Sequence, residues 1–108
     1  LEADLIIDAR CLPNPFYVQE LKQLTGLDEP VREYVMSFDV TKQFLQKVTD
    51  YLDFTIPLYK KEGKSELVIG IGCTGGRHRS VTVARLLNAH LIEHDLKAAI
   101  HHRDIWKA

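Results

Sequence analysis

Between positions 72 and 80 the chain reads Gly-Cys-Thr-Gly-Gly-Arg-His-Arg-Ser. Small residues in such a run let backbone N–H groups turn inward and approach an anion. A helix starting at its end adds unpaired donors and a favourable dipole. Arg79 offers a bidentate fork suited to phosphate, and Thr74 and Ser80 offer hydroxyl donors. The chemistry is recognition of a phosphate, a sulfate or a carboxylate. A plainer alternative is that Gly75-Gly76 only makes a tight strand-to-helix turn; Arg77, His78 and Arg79 directly after it favour the anion. The spacing is neither that of the nucleotide P-loop nor that of the Rossmann glycines.

A sharper reading of the same residues is nucleophilic. Cys73 and Arg79 are separated by five residues and Ser80 follows, a spacing that resembles the signature of the cysteine-dependent phosphatases. There a thiolate attacks phosphorus, loop amides and the Arg hold the oxygens, and the Ser aids the leaving thiolate. A helix N-terminus and neighbouring cations lower a thiol pKa, and an acid such as Asp8 or Asp104 would protonate the leaving group. The surrounding sequence does not otherwise look like those enzymes. Cys73 also reads as a small residue that fits a strand end, so the preferred reading assigns no catalytic residue.

The elements around this run decide what else reaches it. Leu5-Ile6-Ile7 reads as a buried strand ended by Asp8-Ala9-Arg10 and the Pro13-Asn14-Pro15 turn. Residues 17–24 suit a short helix, and 30–37 a second one opened by Asp28-Glu29-Pro30. Phe44, Val48, Tyr51, Leu52, Thr55, Leu58 and Tyr59 recur at steps of three and four, which predicts a long helix with one face on a sheet. Asp39 or Thr41 would cap it, Pro57 would kink it and Gly63-Lys64 would end it. Residues 66–72 form a second buried strand. Val81–Glu93 is a helix with Val81, Ala84, Leu87, Leu91 and Ile92 inward, and Ala98-Ala99-Ile100 begins a third strand. Alternation of strands and helices predicts an α/β domain with a small, mainly parallel sheet flanked by helices. Ligands bind outside the carboxyl ends of such strands. Those ends carry Asp8 and Arg10, then the Gly-rich loop, then His102 and Arg103.

Composition bounds the function. The 108 residues suit one domain, with 45% apolar and 27% charged residues. No apolar run approaches the ~20 residues of a membrane helix. Cys11 and Cys73 are too few for a disulfide scaffold and fit a reducing, cytoplasmic setting. The chain opens at Leu1 without Met or a signal-peptide pattern, which reads as an excised domain. Residues 1–65 carry 8 Lys and Arg against 11 Asp and Glu; residues 66–108 carry 6 against 4 and hold all five His. An anionic ligand therefore belongs with the second part, and net charge of −1 does not by itself point to nucleic acid.

Four motifs together resemble the RapZ/YvcJ family: Asp8-Ala-Arg-Cys-Leu-Pro-Asn-Pro15, Leu24-Thr-Gly-Leu-Asp28 with Pro30-Val31, Gly70-Ile-Gly-Cys-Thr-Gly-Gly-Arg-His-Arg-Ser80, and His102-Arg103-Asp104. The likeness covers about residues 4–104 and is to the C-terminal domain of that family. It implies a ligand-sensing domain whose ATP- or GTP-binding P-loop domain lies upstream and is absent from these 108 residues; no cofactor is implied for the domain itself. The implied ligand is a phosphorylated amino sugar or nucleotide sugar, glucosamine-6-phosphate or UDP-N-acetylglucosamine, reporting the supply of cell-wall precursors to a regulatory protein partner or to the upstream domain. Carried over, the ligand residues are Cys73, Thr74, Gly75, Gly76, His78, Arg79 and Ser80, with Asp8, Arg10 and Asn14. Arg77, His102 and Arg103 join them from their places at the strand ends. The resemblance also implies self-association and, in Gram-negative members, binding of small regulatory RNA. Phe16 stands where those members tend to have His, and Ile105-Trp-Lys-Ala108 lacks their basic cluster. Both differences lean toward the Gram-positive type and away from RNA.

The remaining residues have ordinary readings. His90 and His94 sit four apart on a helix without a third ligand, as surface histidines do. Of His101 and His102, alternation lets one reach the site. Cys11 reads as a core thiol. Tyr34, Phe38, Tyr51 and Tyr59 read as core or subunit-interface residues, and Trp106 as a contact with a neighbouring subunit or a truncation edge. Three functions remain open: a sensor that tolerates Cys73→Ser, a phosphatase that does not, and an RNA adaptor weakened by changes at Arg77 or Arg103.

Overall fold

A computed structural model describes residues 4–63, 67–72, 78–93 and, for the backbone, 99–102. Strand β1 (Leu5–Asp8) is followed by a single 3-10 turn (Pro15–Tyr17), helix α1 (Glu29–Met36) and helix α2 (Asp39–Lys61). Strand β2 (Val68–Gly72), helix α3 (Arg79–Glu93) and strand β3 (Ala99–His102) complete the order. The sheet order is β1-β2-β3, and both pairings are parallel. The chain is thus an α/β domain, as the alternation of elements predicts.

β2 is the central strand and is apolar on both faces. Val68, Ile69 and Ile71 are all buried, the mark of a strand covered on both sides. β1 is an edge strand and alternates instead: Ile7 is buried while Ile6 is 64% exposed. The expectation of a fully buried first strand is therefore corrected, because only one of its faces meets helices. Asp4 extends its hold on β2, donating its N–H to the Val68 carbonyl and accepting the Val68 N–H on its carboxylate, each at 2.8 Å.

α2 runs 23 residues and continues through Pro57. Its first turn has Phe38 at the capping position with no side-chain cap, so neither Asp39 nor Thr41 plays that part. It ends where Gly63 takes a φ of 87°, a left-handed value that glycine adopts without strain. Thr41, Leu45, Leu52, Thr55 and Ile56 form its buried face. Tyr51 and Leu58 lie outside it, with about half of each exposed. The periodicity is right but the inward face is turned from the expected one. It packs against α1 and α3, while Phe44 and Val48 lie against the core and share a groove with Leu5 and Ile7 of β1. Phe38 and Tyr59 are also exposed, so they are not core residues.

Residues 17–24 do not form the expected helix. Asn14 Oδ1 accepts the Phe16 N–H at 3.0 Å and starts only one 3-10 turn. Pro15, at the head of that turn, is buried. Cys11 is exposed, not a core thiol. Ile92 is 71% exposed, beyond the inner stripe of α3 that Val81, Ala84, Leu87 and Leu91 make.

Candidate functional site at the strand ends

Register decides which residues share the edge of the sheet. Asp8 pairs with Gly72, and Ile71 with His102. The carboxyl ends of the three strands therefore stand level, with the start of α3 beside them. Strand ends far apart in sequence converge as expected. Cys73, Thr74, Gly75, Gly76, Arg77, Arg103 and Asp104 lie outside the described residues, as do His94 and Trp106, and of His102 the backbone is described.

α3 begins two residues earlier than the sequence periodicity suggests. Arg79 and Ser80 occupy its first turn and are buried. The helix starts early because its first turn is gripped from several sides. Arg79 is only 5% exposed. Its Nη1 donates to the carbonyl of Arg10 at 2.8 Å and to that of Leu12 at 3.2 Å. This ties the segment after β1 to the head of α3, and it gives Arg79 a structural task that the anion reading did not foresee. Its Nε has no hydrogen-bond partner among the described residues. A charged donor left so far from water is costly, and it lies in the first turn of a helix, where anions are favoured.

His78 is 5% exposed and its Nε2 lies 3.2 Å from the Leu21 carbonyl. That contact anchors the turns after the 3-10 segment to the residue preceding α3. His78 O also accepts the Thr82 N–H at 3.0 Å, closing the first helical turn.

Asp8 and Arg10 form an exposed pair at the rim. Arg10 Nε and Nη2 reach the Asp8 carboxylate at 2.7–3.0 Å, and the Arg10 N–H donates to Oδ1 at 2.9 Å. The Arg10 hydrogen bonds hold the Asp8 carboxyl below its ordinary pKa, with the Arg79 charge adding to the effect. The Asp8 carboxylate in turn raises that of Arg10. Asn14 is drawn into the 3-10 turn by its side chain, as described above. Asp8, Arg10, His78, Arg79 and Ser80 thus surround or enter one edge of the fold.

Two positioning residues escape a search for reactive groups. Gly26 lies so close to α3 that a Cβ there would meet the Thr82 nitrogen at 2.5 Å and the His78 oxygen at 2.6 Å. Arg85, one turn further along α3, donates to the carbonyls of Gly26 at 3.3 Å and Leu27 at 3.2 Å. The turn itself is closed by Thr25 and Asp28: the Asp28 carboxylate accepts the Thr25 N–H and the Thr25 hydroxyl accepts the Leu27 N–H. The Leu24–Asp28 motif is therefore a brace under the head of α3. A Thr-Gly pair before Asp was the available signal, but nothing in spacing tells that α3 is the surface it approaches.

His90 Nε2 lies 2.7 Å from Asp53 Oδ1 and links α3 to α2. Among the described residues no group of three or more His, Cys, Asp or Glu is placed to hold a metal ion. No described helix is long and apolar enough to cross a membrane.

Comparison with known proteins places the chain in a family. The family model described as RapZ C-terminal domain matches residues 1–106. The chain belongs to the RapZ C-terminal domain family. Similar proteins come from Gram-positive bacteria, as the Phe16 and tail differences suggest. A nucleotide-binding protein of Thermoanaerobacter sp. is 56% identical over 105 residues, covering 97% of this chain and 37% of its own length. Nucleotide-binding proteins of Carboxydothermus hydrogenoformans and Bacillus cytotoxicus are 55% and 54% identical over 107 residues, covering 99% of this chain and 37% and 36% of theirs. The chain thus spans a little over a third of the length of these relatives. Within the RapZ C-terminal domain family it is a regulatory domain of nucleotide-binding proteins.

Proposed function

We propose that this domain senses a phosphorylated amino sugar or nucleotide sugar, glucosamine-6-phosphate or UDP-N-acetylglucosamine, at the carboxyl edge of its sheet. Occupancy is relayed to a partner or to the nucleotide-binding remainder of the full-length protein, in the cytoplasm. The observation that carries this reading is Arg79, 5% exposed in the first turn of α3, whose Nε has no hydrogen-bond partner among the described residues. A phosphate there accepts from that donor and from the amides of the helix start. Asp8 and Arg10 on the rim offer an acceptor and a cation to sugar hydroxyl, amine or phosphate groups. From residues 73–77, outside the described residues, the family resemblance implies further ligand contacts by Cys73, Thr74, Gly75 and Gly76. A sensor further requires that the ligand favour one conformation over another. The grip of Arg79 on the Arg10 and Leu12 carbonyls offers the route, since a ligand drawing on Arg79 acts on the segment after β1.

This geometry favours binding over turnover. Nη1 of Arg79 is committed to two carbonyls, so the full guanidinium fork is not offered to a phosphoryl group that Cys73 would attack.

Calorimetric titration with UDP-N-acetylglucosamine, glucosamine-6-phosphate and inorganic phosphate tests the proposal. One sugar ligand should bind saturably, without slow heat from phosphate release. Arg10→Ala, a change at an exposed pair, should weaken it several-fold with the fold unchanged. Arg79→Lys keeps the charge, loses the planar fork and should weaken it at least about tenfold. A folded wild-type chain that binds none of the three, or that releases phosphate, overturns the reading.

A further inference from the structure

The segment between β1 and α1 is pinned to the head of α3 at two points. Arg79 Nη1 holds the Leu12 carbonyl at 3.2 Å, and His78 Nε2 lies 3.2 Å from the Leu21 carbonyl. Neighbouring residues at one helix start thus fix the entry and the exit of the turn between them. Inside that frame the chain is held again. Pro15 is buried, Asn14 Oδ1 accepts the Phe16 N–H, and the Val18 carbonyl accepts the N–H groups of both Leu21 and Lys22 at 2.9 Å. Yet the residues presented outward are aromatic. Phe16 is 43% exposed and Tyr17 83%. Their rings meet edge to face, with centroids 5.8 Å apart and planes at 86°. The Lys22 ammonium stands over the Phe16 ring, 4.9 Å from its centre. A ring as exposed as Tyr17 adds little to the core by burial, whereas a turn already held spares a ligand the cost of ordering it.

We propose that Phe16 and Tyr17 form a stacking platform for the base of a nucleoside diphosphate-linked sugar and that Lys22 draws one of its two phosphates, which rests on the ligand site proposed above. The edge then takes a nucleotide sugar in preference to a sugar monophosphate. Four residues of chain lead from Tyr17 to Leu21, at most about 14 Å even fully extended, and here they are turned. The platform is therefore a neighbour of His78 and Arg79, where the Arg79 Nε has no hydrogen-bond partner among the described residues. Charge favours the larger ligand. A sugar monophosphate brings one anionic group, which Arg79 meets. A nucleoside diphosphate brings two, and Lys22 is a second cation, on the platform itself. The ring attracts the ammonium charge and leaves its N–H donors for a phosphate. The rings favour a base. Phe16 has no polar side-chain atom and Tyr17 only its phenol oxygen, so neither offers the hydrogen bonds that sugar hydroxyls need; Asp8 and Arg10 do. A base stacks on such rings whatever the pattern of its edge.

Calorimetry with UDP-N-acetylglucosamine beside N-acetylglucosamine-1-phosphate and glucosamine-6-phosphate, which lack the base, tests the platform. Wild type should bind the nucleotide sugar at least about tenfold more tightly than either monophosphate. Tyr17→Ala should weaken the nucleotide sugar at least about fivefold and leave the monophosphates unchanged. The thermal midpoint of the free chain should stay the same, because the ring is exposed. Tyr17→Phe keeps the ring and should bind like wild type. Lys22→Ala should weaken the nucleotide sugar more than the monophosphates. In NMR spectra the uracil ring protons should move upfield on binding, as protons over an aromatic face do, and Tyr17→Ala should reduce that shift. A chain that binds a monophosphate as tightly as the nucleotide sugar overturns the platform and leaves the sensor standing. So does a Tyr17→Ala chain that binds the nucleotide sugar like wild type. Equal weakening of both kinds of ligand by Tyr17→Ala would put the sugar, not the base, on the ring, and overturns it as well. A folded wild-type chain that binds none of the three overturns the sensor and the platform together.

Discussion

Arg79 holds the edge of the fold together, and in the proposed function it also meets the ligand. Two of its bonds hold carbonyls of the segment after β1, and its Nε has no hydrogen-bond partner among the described residues. Gly26 is the counterpart on the other flank of α3, where contact rather than charge sets the identity. Gly26→Ala would push a methyl into the Thr82 nitrogen and the His78 carbonyl, both backbone atoms that cannot swing aside. The expected cost is about 1–3 kcal/mol, read as a lower urea midpoint, with ligand binding weakened because the head of α3 moves. A variant as stable as wild type would show that the brace is not tight. Asp8 gives a second test at this scale. Its pKa is lowered in the fold, chiefly by the Arg10 side chain. Any stability it lends is therefore present above the ordinary value of about 3.9 and is lost as pH falls through the lowered one. The Asp8 carboxyl resonance in an NMR titration should have its midpoint below 3.9 and move up in Arg10→Ala. A midpoint unmoved by that change would mean that the rim pair does not persist in solution.

At the scale of elements, α2 is unbroken at Pro57, which lies on its exposed side. Proline there removes a donor and crowds the carbonyl one turn back. Thr55 adds a hydroxyl bond of 2.8 Å to the Tyr51 carbonyl in the same stretch. Restoring the donor in Pro57→Ala should stabilise the chain by about 1–2 kcal/mol. That is less than the ~3 kcal/mol difference in helix propensity, because the unfolded chain regains freedom. Urea unfolding at low protein concentration measures it, and a destabilised variant would show that the proline fixes a bend the packing needs. The elements themselves were largely legible in the sequence. Steps of three and four located α2 and α3, and β-branched runs located β1 and β2. What periodicity could not give was orientation. α2 has two stripes about 100° apart, each apolar enough to pass for the buried one, and only the docking of α1 and α3 selects Leu45 and Ile56 over Tyr51 and Leu58. The head of α3 was misplaced by two residues for a related reason. Arg79 and Ser80 look like loop residues until the carbonyls of Arg10 and Leu12, nearly 70 positions away in sequence, are brought against them.

Across the whole molecule the candidate site is assembled from three strand ends, the head of α3 and the Leu24–Asp28 turn. Asp8, Gly72 and His102 come into line through sheet register, and Arg79 reaches the β1 side only across that assembled edge. An unfolded chain has no such arrangement, so a ligand of this edge binds the folded state and stabilises it. At a hundred times its Kd, a sugar phosphate should add about 2.7 kcal/mol, read as a rise in the thermal midpoint that grows with the logarithm of ligand concentration. For a domain of this size that is a shift of roughly 10–20 °C at 4–8 °C per kcal/mol. Arg10→Ala should keep the midpoint without ligand and lose part of the rise, because the rim pair is exposed and little of the fold rests on it. Arg79→Lys should lower both. The two variants thus separate a residue that meets the ligand at the rim from one that also holds the edge together. A ligand that raises the midpoint of Arg10→Ala and Arg79→Lys as much as that of wild type would bind elsewhere on the molecule.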